Sequence, residues 1–198
     1  MGQRNKDSRW VMVDQVKSPE AATTQRITIA EYQMLPETNL PMQLIDGEVI
    51  MAPSPEFPHQ KTVTKLTLTV GGIVNGGELC IAPMDVYLDE INAVQPDLFW
   101  VSAENDHCKL VEGYWYGAPD FVIEVLSPST ARLDRSKKFK LYEKYGVCEY
   151  WMVDPAAQFI EVWQLVDQKF VQLGVFGPDE QFQSAVLGQV IELKTIFS

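Results

Sequence analysis

The chain of 198 residues is poor in cysteine, histidine and positive charge. Its three cysteines are odd in number and widely spaced, so they form neither a disulfide framework nor a zinc-binding pattern. This usage favours a reducing compartment, and the cytoplasm is the simplest interpretation. The two histidines, His59 and His107, lie in no motif with a nucleophilic serine, which argues against a Ser-His triad.

Long apolar runs are also missing. No stretch approaches the ~18 residues that a membrane-spanning helix needs, and the polar N-terminus lacks the apolar segment of a secretory signal. The net charge of -11 argues against a protein that coats nucleic acid non-specifically, because such binding relies on lysine and arginine to neutralise phosphates. A nuclease remains compatible with this charge, since carboxylates that hold a metal are themselves acidic.

The length and the 46% hydrophobic content fit one globular domain with a sizeable core. Residues 1–26 are mostly polar and aperiodic, which predicts a flexible N-terminal arm, and residues 27–198 form the predicted domain. Thr28, with Glu31 three positions later, predicts a capped helix start. Asp46-Gly47 lies between two apolar runs and predicts a β-hairpin.

Hydrophobic periodicity predicts a mixed order of helices and strands. A helix is expected from His59 to Val74 and another over about 131–145, with Gly146 as its C-terminal glycine. Strands are expected at about 78–82, 84–89, 96–101, 121–126, 149–154, 158–166, 169–174 and 182–187, with a long polar and aromatic loop at 103–118. This order predicts an α/β (mixed α+β) fold with helices on both sides of a central sheet and an antiparallel C-terminal extension.

Two acidic residues interrupt the apolar strands. Asp97 directly precedes the apolar segment Leu98-Phe99-Trp100-Val101, and Glu124 lies inside a strand that is otherwise almost entirely apolar. A buried, unpaired carboxylate is costly or shifts its pKa, whereas metal coordination removes that cost. If the two strands pair, the acids predict a site for Mg²⁺ or Mn²⁺, which one or two carboxylates hold together with waters and substrate phosphate. Such a site indicates metal-assisted hydrolysis of phosphate esters.

The helix after Glu124 supplies cations to this site. Asp134, Lys138 and Tyr142 are spaced four residues apart and share one face, so Lys138 can reach the end of the strand. Lys137 and Lys140 point elsewhere and are candidates for binding the phosphate backbone.

Two alternatives stay open for these residues. Glu124 and Lys138 could form a buried ion pair without metal, because that pair needs the same geometry. Lys137 and Lys140 could belong to a solvated helix face.

Aromatic residues offer further candidates with two interpretations. Tyr114 and Trp115 could stack on bases, or they could cover a dimer interface. The aromatic residues of the C-terminal strands could supply the interface of a two-fold dimer or close the domain core: Trp163, Phe170, Phe176 and Phe182.

The order of several short motifs resembles one family. The chain contains Asp-Gly-Glu at 46–48, Pro-Asp at 96–97 and Gly-Ala-Pro-Asp at 117–120. Glu-Val-Leu-Ser-Pro-Ser-Thr follows at 124–130, and Gly-Val and Glu-Tyr-Trp follow the lysine-rich helix. Over residues 28–166 this is similar to a large bacterial family of mostly uncharacterised endonucleases with a restriction-endonuclease-like core, within the PD-(D/E)XK nuclease superfamily.

The resemblance implies roles for the acidic pair and its neighbours. Asp97 matches the metal-binding aspartate, Glu124 its acidic partner, and the carbonyl of Val125 the usual backbone metal ligand. Members of the superfamily usually carry a lysine two residues after the second acid, where this chain has Leu126. The resembled family supplies that lysine from the next helix, so Lys138 inherits the role.

The resemblance also implies outer members of the site. Glu48 matches an additional acid, His59 is a candidate for lining the entrance, and Asp85 is a weaker candidate on a neighbouring strand. The implied fold is a restriction-endonuclease-like core with a curved sheet that carries the metal site.

Three functions are compatible with these observations. The first is a metal-dependent endonuclease acting on DNA, expected to work as a homodimer because enzymes that cut both strands commonly do. The second is a nuclease fold retained as a binding or regulatory module, which the acidic charge and the residue Leu126 favour. The third is a metal-dependent hydrolase of a small phosphate ester.

Overall fold

A computed structural model describes residues 26–36 and 38–198 of the chain. Nearly all of the predicted N-terminal arm, residues 1–26, lies outside the described residues. In the part of the chain that is described, no helix is long and apolar enough to cross a membrane.

Strands make up most of the regular structure. In chain order they are β1 (Met42–Ile45), β2 (Glu48–Met51), β3 (Glu78–Ile81), β4 (Val86–Asp89), β5 (Asn92–Val94), β6 (Leu98–Val101), β7 (Lys109–Val111), β8 (Tyr114–Tyr116), β9 (Phe121–Val125), β10 (Glu149–Asp154), β11 (Phe159–Val166), β12 (Lys169–Phe176), β13 (Gln181–Gln183) and β14 (Val190–Glu192). The helices are α1 (Ile29–Tyr32), α2 (Phe57–Gly71), α3 (Ala131–Leu133), a π-helical segment (Asp134–Lys138), α4 (Phe139–Tyr145) and α5 (Lys194–Phe197).

The strands form two six-stranded sheets and a small hairpin. The first sheet has the order β2-β1-β5-β4-β8-β7, and the second has the order β12-β11-β10-β9-β6-β3. Each sheet contains one parallel pair, β4 with β8 and β9 with β10, and is otherwise antiparallel. Strands β13 and β14 pair only with each other among the described residues.

The central strands of the second sheet, β6, β9 and β10, are buried on both faces, as the continuous apolar run of β9 predicts. Val122 of β9 packs toward the first sheet and toward α4, which contributes Leu141. Ile123, on the opposite face, packs against Leu66 of α2 and against Ile196 of α5. The predicted arrangement of helices on both sides of a sheet is therefore confirmed, with the first sheet as an additional layer.

The local signals at the two best-marked turns are confirmed. Thr28 caps α1 and forms a reciprocal capping box with Glu31. Asp46 and Gly47 make the turn between β1 and β2 with positive φ angles of 52° and 77°, a conformation that glycine adopts without strain.

Two expectations about the middle of the chain were wrong. The stretch 103–118, expected to be a loop, contains the hairpin of β7 and β8, because Glu112-Gly113 adopts positive φ angles and turns the chain between two short apolar runs. Strand β5 was also missed, since its three residues are too few to show a period.

Candidate active site

The strand register brings the two acids together. Strands β6 and β9 are antiparallel, with Leu98 opposite Ile123 and Phe99 opposite Val122. One step further along the same register, Asp97 faces Glu124. Directly opposite residues of an antiparallel pair have Cβ atoms about 5 Å apart and project to the same face. The two carboxylates predicted from the sequence therefore meet at the end of the second sheet.

Asp97 is fixed through one of its two oxygens. Its Oδ2 accepts a hydrogen bond of 2.7 Å from the amide N–H of Val125 and lies 3.2 Å from Nε2 of His59, in the first turn of α2. No described residue donates to the second oxygen, Oδ1. The side chain is thus held in one orientation while Oδ1 remains available to a ligand.

Glu124 is fixed in the same way. Its Oε1 accepts hydrogen bonds of 2.8 Å from Nζ of Lys138 and 2.6 Å from the hydroxyl of Tyr142. Within the described part of the chain, no donor contacts Oε2. All three side chains are buried, which confirms that Lys138 and Tyr142 share the helix face that looks onto β9.

The π-helical segment between α3 and α4 shapes this contact. Asp134 and Lys138 stand at its two ends, and Nζ of Lys138 lies 3.4 Å from Oδ1 of Asp134 as well as near Glu124. A π-bulge inserts an extra residue into a helix and is frequent at functional sites. In this chain the π-helical segment carries Lys138, whose ammonium group lies between the buried carboxyls of Glu124 and Asp134.

The burial of this cluster changes the protonation of its members. Burial raises the pKa of Glu124 to about 8, and the nearby Asp134 and Asp97 add to the increase against the opposing charge of Lys138. Burial also raises the pKa of Asp134. Burial lowers the pKa of Lys138, but Glu124 and Asp134 outweigh it and raise that pKa, so Lys138 keeps its proton.

The pKa of His59 is also raised by a neighbouring carboxylate. Burial lowers the pKa of its imidazole, but the hydrogen bond and the charge of Asp97 outweigh burial, so its pKa is raised. Its Nδ1 is buried and has no hydrogen-bond partner among the described residues. A candidate for lining the entrance is therefore in direct contact with the first acid.

These groups open into a cleft of about 1540 Å³. The cleft runs between the loop that follows β2, the first three turns of α2 and the segment that follows β9. His59, Asp97, Glu124, Asp134 and Lys138 all line it. The oxygens Oδ1 of Asp97 and Oε2 of Glu124 thus belong to side chains that face accessible space.

The donor set fits a divalent cation such as Mg²⁺. Among the described residues, no group of three or more His, Cys, Asp or Glu side chains is placed to hold a metal ion together. Mg²⁺ does not require one, because it usually keeps several waters and takes one or two carboxylates. Burial is the largest cause of the raised pKa of Glu124, and the charges of Asp134 and Asp97 add to it, so a divalent cation beside these carboxyls would favour the ionised form of Glu124.

Comparison with known proteins places the chain in a family. The Uma2 family model, described as "Putative restriction endonuclease", matches residues 29–194. The chain belongs to the Uma2 family. This confirms the resemblance that the motifs around Asp97 and Glu124 carry. A comparison with curated proteins gave no match.

The fold assignment of the Uma2 chain has independent support. It is similar to the crystal structure of a putative nuclease belonging to DUF820 from Anabaena variabilis, with a TM-score of 0.71 and 22% sequence identity. The match covers 86% of this chain and 97% of that one. The predicted restriction-endonuclease-like fold is therefore confirmed at the level of architecture.

Three residues expected around the site of the Uma2 chain lie outside the cleft. Glu48 forms an ion pair of 2.9 Å with Lys137, and both side chains are more than a third exposed. Lys140 is exposed on α4. In the described chain, Glu48, Lys137 and Lys140 do not line the cleft. Their roles in catalysis or substrate binding remain proposals.

The aromatic candidates divide clearly. Trp115 is buried against Phe99 and belongs to the core, so it is not available for stacking on bases. Tyr114 is 40% exposed and lines the cleft. Phe170 and Phe182 are buried, which supports their role in closing the core.

Sequence reasoning missed a polar chain at the cleft wall. Asp85 accepts a hydrogen bond of 2.8 Å from the side-chain Nε2 of Gln95. The backbone N–H of Gln95 donates to Oε1 of Gln43. Neither glutamine stands out in the sequence, because polar residues near strand ends are common. Their pairing becomes visible only when β1, β4 and β5 are assembled.

Proposed function

We propose that the chain is a metal-dependent endonuclease that hydrolyses phosphodiester bonds in DNA at the cluster of Asp97, Glu124 and Lys138. The proposal is carried by one observation. The carboxylates of Asp97 and Glu124, on paired strands, each keep one oxygen free, and Nζ of the buried Lys138 lies 2.8 Å from Oε1 of Glu124. Membership of a family described as restriction endonucleases supports the same reaction class.

The metal would be held by Asp97 through Oδ1 and by Glu124 through Oε2, with the carbonyl of Val125 as the implied backbone ligand. A bound Mg²⁺ or Mn²⁺ supplies a water of lowered pKa and offsets charge on the phosphate. The residues around it keep the two carboxylates in place. His59 and the Val125 amide orient Asp97, and Tyr142 orients Glu124.

Lys138 acts on the substrate side. Its ammonium group is held between Glu124 and Asp134, so it does not need to reorganise when charge develops on the phosphate. In this position it orients the attacking water and stabilises the transition state. Leu126, at the position where superfamily members usually carry a lysine, is apolar and buried. Lys138 of the following helix supplies the cation in its place.

Glu124→Gln is expected to reduce cleavage by at least about 100-fold, which is a typical loss when one preorganised electrostatic group is removed. The measurement is Mg²⁺- or Mn²⁺-dependent cleavage of supercoiled plasmid and of a single-stranded oligonucleotide. Glu149→Gln is the matched control, because Glu149 is an equally buried strand carboxylate outside the cleft. Equal activity of wild type and Glu124→Gln would contradict the assignment.

A second candidate is a nuclease fold retained as a binding or regulatory module with little or no catalysis. The acidic composition favours it, as does a cleft in which Lys138 is the one lysine or arginine among the described lining residues. The free oxygens of Asp97 and Glu124 favour the enzyme, since a binding module has no need of two neighbouring acids that line a cleft.

We also propose a cytoplasmic homodimer. The three cysteines are unpaired, as a reducing compartment requires. The exposed apolar residues of the edge strand β12 are the candidate interface, namely Val171, Leu173 and Val175. Gel filtration with light scattering measures this directly, and a monomer at micromolar concentration would contradict the dimer.

A further inference from the structure

The walls of the cleft carry little positive charge. Among the described residues that line it, Lys138 is the one lysine or arginine, and it is buried between carboxyls. The lining includes six acids: Glu56, Asp85, Asp97, Glu124, Asp134 and Asp154. Duplex DNA carries about one charge per 1.7 Å of its axis and is bound through rows of lysine and arginine. These walls do not offer such a row.

The other basic residues of the neighbouring helix do not belong to these walls, and Arg132 and Lys140 are exposed outside the cleft in the described chain. Lys137 pairs with Glu48 at 2.9 Å, and Arg135 pairs with Glu161 at 2.6 Å. Each cation already faces a carboxylate, so little of its charge is left for a phosphate backbone.

The walls instead offer flat apolar surfaces. Three tyrosines line the cleft, Tyr32, Tyr87 and Tyr114, together with several prolines of the surrounding loops. The ring of Tyr114 lies 5.3 Å from that of Tyr87 and is 40% exposed, so part of its surface remains open to a ligand. Bases of an unpaired strand stack on such rings, and every base has a face that can do so.

We propose that the DNA enters this cleft as an unpaired strand, with a base stacked on Tyr114 and a phosphate of the strand at the carboxylate pair. This inference rests on the proposed nuclease function and specifies its substrate class. A single strand has a lower charge density than a duplex, which suits an acidic cleft. It also exposes base faces that base pairing and stacking hide in a duplex.

Strand β8 provides a matched pair of variants. Tyr114 and Tyr116 both pack against Tyr87 and are 40% and 39% exposed, but only Tyr114 lines the cleft. Tyr114→Ala is expected to weaken binding of a labelled single-stranded oligonucleotide by about 5- to 100-fold, the loss of one stacked base. Tyr116→Ala is expected to bind as the wild type does. Thermal melts of both variants confirm that they are folded.

The measurement is fluorescence anisotropy in Ca²⁺, with the oligonucleotide and its blunt duplex compared on the full chain. The expected result is tighter binding of the single strand. Equal or tighter binding of the duplex, an unchanged affinity of Tyr114→Ala, or no binding of the single strand would overturn the inference.

The same experiment separates this inference from the proposed function. Single-strand binding that depends on Tyr114, without cleavage in Mg²⁺, would leave the substrate class standing and remove the nuclease. Preferred binding and cleavage of the duplex would overturn the single-strand substrate and leave the proposed nuclease standing. Hydrolysis of p-nitrophenyl phosphate esters without any single-strand binding would overturn both.

Discussion

Lys138→Met is expected to abolish cleavage and to lower the free energy of unfolding by about 3–5 kcal/mol near neutral pH, as removal of one partner from a buried ion pair commonly does. Lys138 is buried and lies 2.8 Å from Glu124 and 3.4 Å from Asp134. Without the ammonium group, these two carboxyls lose their only cationic partner among the described residues. Denaturant unfolding and the cleavage assay measure the two effects on the same samples.

The loss of stability should depend on pH with a defined sign. The pKa of Glu124 is raised from its ordinary value of 4.5 to about 8 in the folded chain, so its protonated form stabilises the fold at low pH. That contribution is lost as the pH rises through the folded pKa. Removing Lys138 raises the folded pKa of Glu124 further. Wild type and variant therefore lose this contribution alike up to about pH 8, and the gap between them widens above that pH, where only the variant goes on losing stability.

Melting temperatures at about pH 6 and about pH 9 compare the two sides of this pKa. The gap between wild type and Lys138→Met is expected to be larger at pH 9. Lys140→Met, on the exposed side of the same helix, should match the wild type at both values. A gap that stays constant or shrinks between pH 6 and pH 9 would show that Lys138 does not compensate Glu124.

Glu149→Ala is expected to be the other strongly destabilising change. The Glu149 side chain is completely buried at the start of β10 and has no cationic partner among the described residues. It accepts five hydrogen bonds, from Trp151 Nε1 and Ser184 Oγ at 2.7 Å, from the amide of Ala185 at 2.9 Å, and from Gln164 and Val186 at 3.3 and 3.4 Å. It thereby ties the segment before β14 to the second sheet.

Deleting this carboxylate leaves several buried donors without an acceptor, and each costs about 1–3 kcal/mol. We expect the melting temperature of Glu149→Ala to fall by about 10–15 °C, at a few degrees per kcal/mol for a chain of this size. Glu149→Gln keeps one acceptor oxygen, so its melting temperature should lie between those of Glu149→Ala and the wild type, and it should stay folded at the temperature of the cleavage and Mn²⁺ assays. If the alanine variant melts within 2 or 3 °C of wild type by differential scanning calorimetry, the segment is held mainly by its apolar contacts.

Local signals in the sequence predicted much of the fold. The Asp46-Gly47 hairpin, the capped start of α1 and the helix around Lys138 each depend on residues close together in the chain, and all three are found. Asp97 and Glu124 could be identified because an acid inside an apolar strand is conspicuous. Their contact followed from the expected pairing of their strands, which the register confirms.

Contacts between distant segments could not be predicted in this way. The ion pair between Lys137 and Glu48 joins a helix to the hairpin of β1 and β2, and no spacing pattern in the sequence predicts it. Trp115 looked like a surface aromatic because its hairpin was taken for a loop. Glu149 drew no functional hypothesis, since three of its partners, in the segment 184–186, lie 35 to 37 positions further along the chain. The π-helical turn at Asp134 likewise departs from the regular period on which helix prediction rests.

Calorimetric titration with Mn²⁺ tests the central claim most directly, because Asp97 and Glu124 are proposed to hold a divalent cation. The wild type is expected to bind Mn²⁺ at this site, Glu149→Gln to bind it equally, and Glu124→Gln to bind it at least about 10-fold more weakly, a typical effect on metal affinity even for outer partners of a site. No binding by the wild type, or equal binding by Glu124→Gln, would contradict the account.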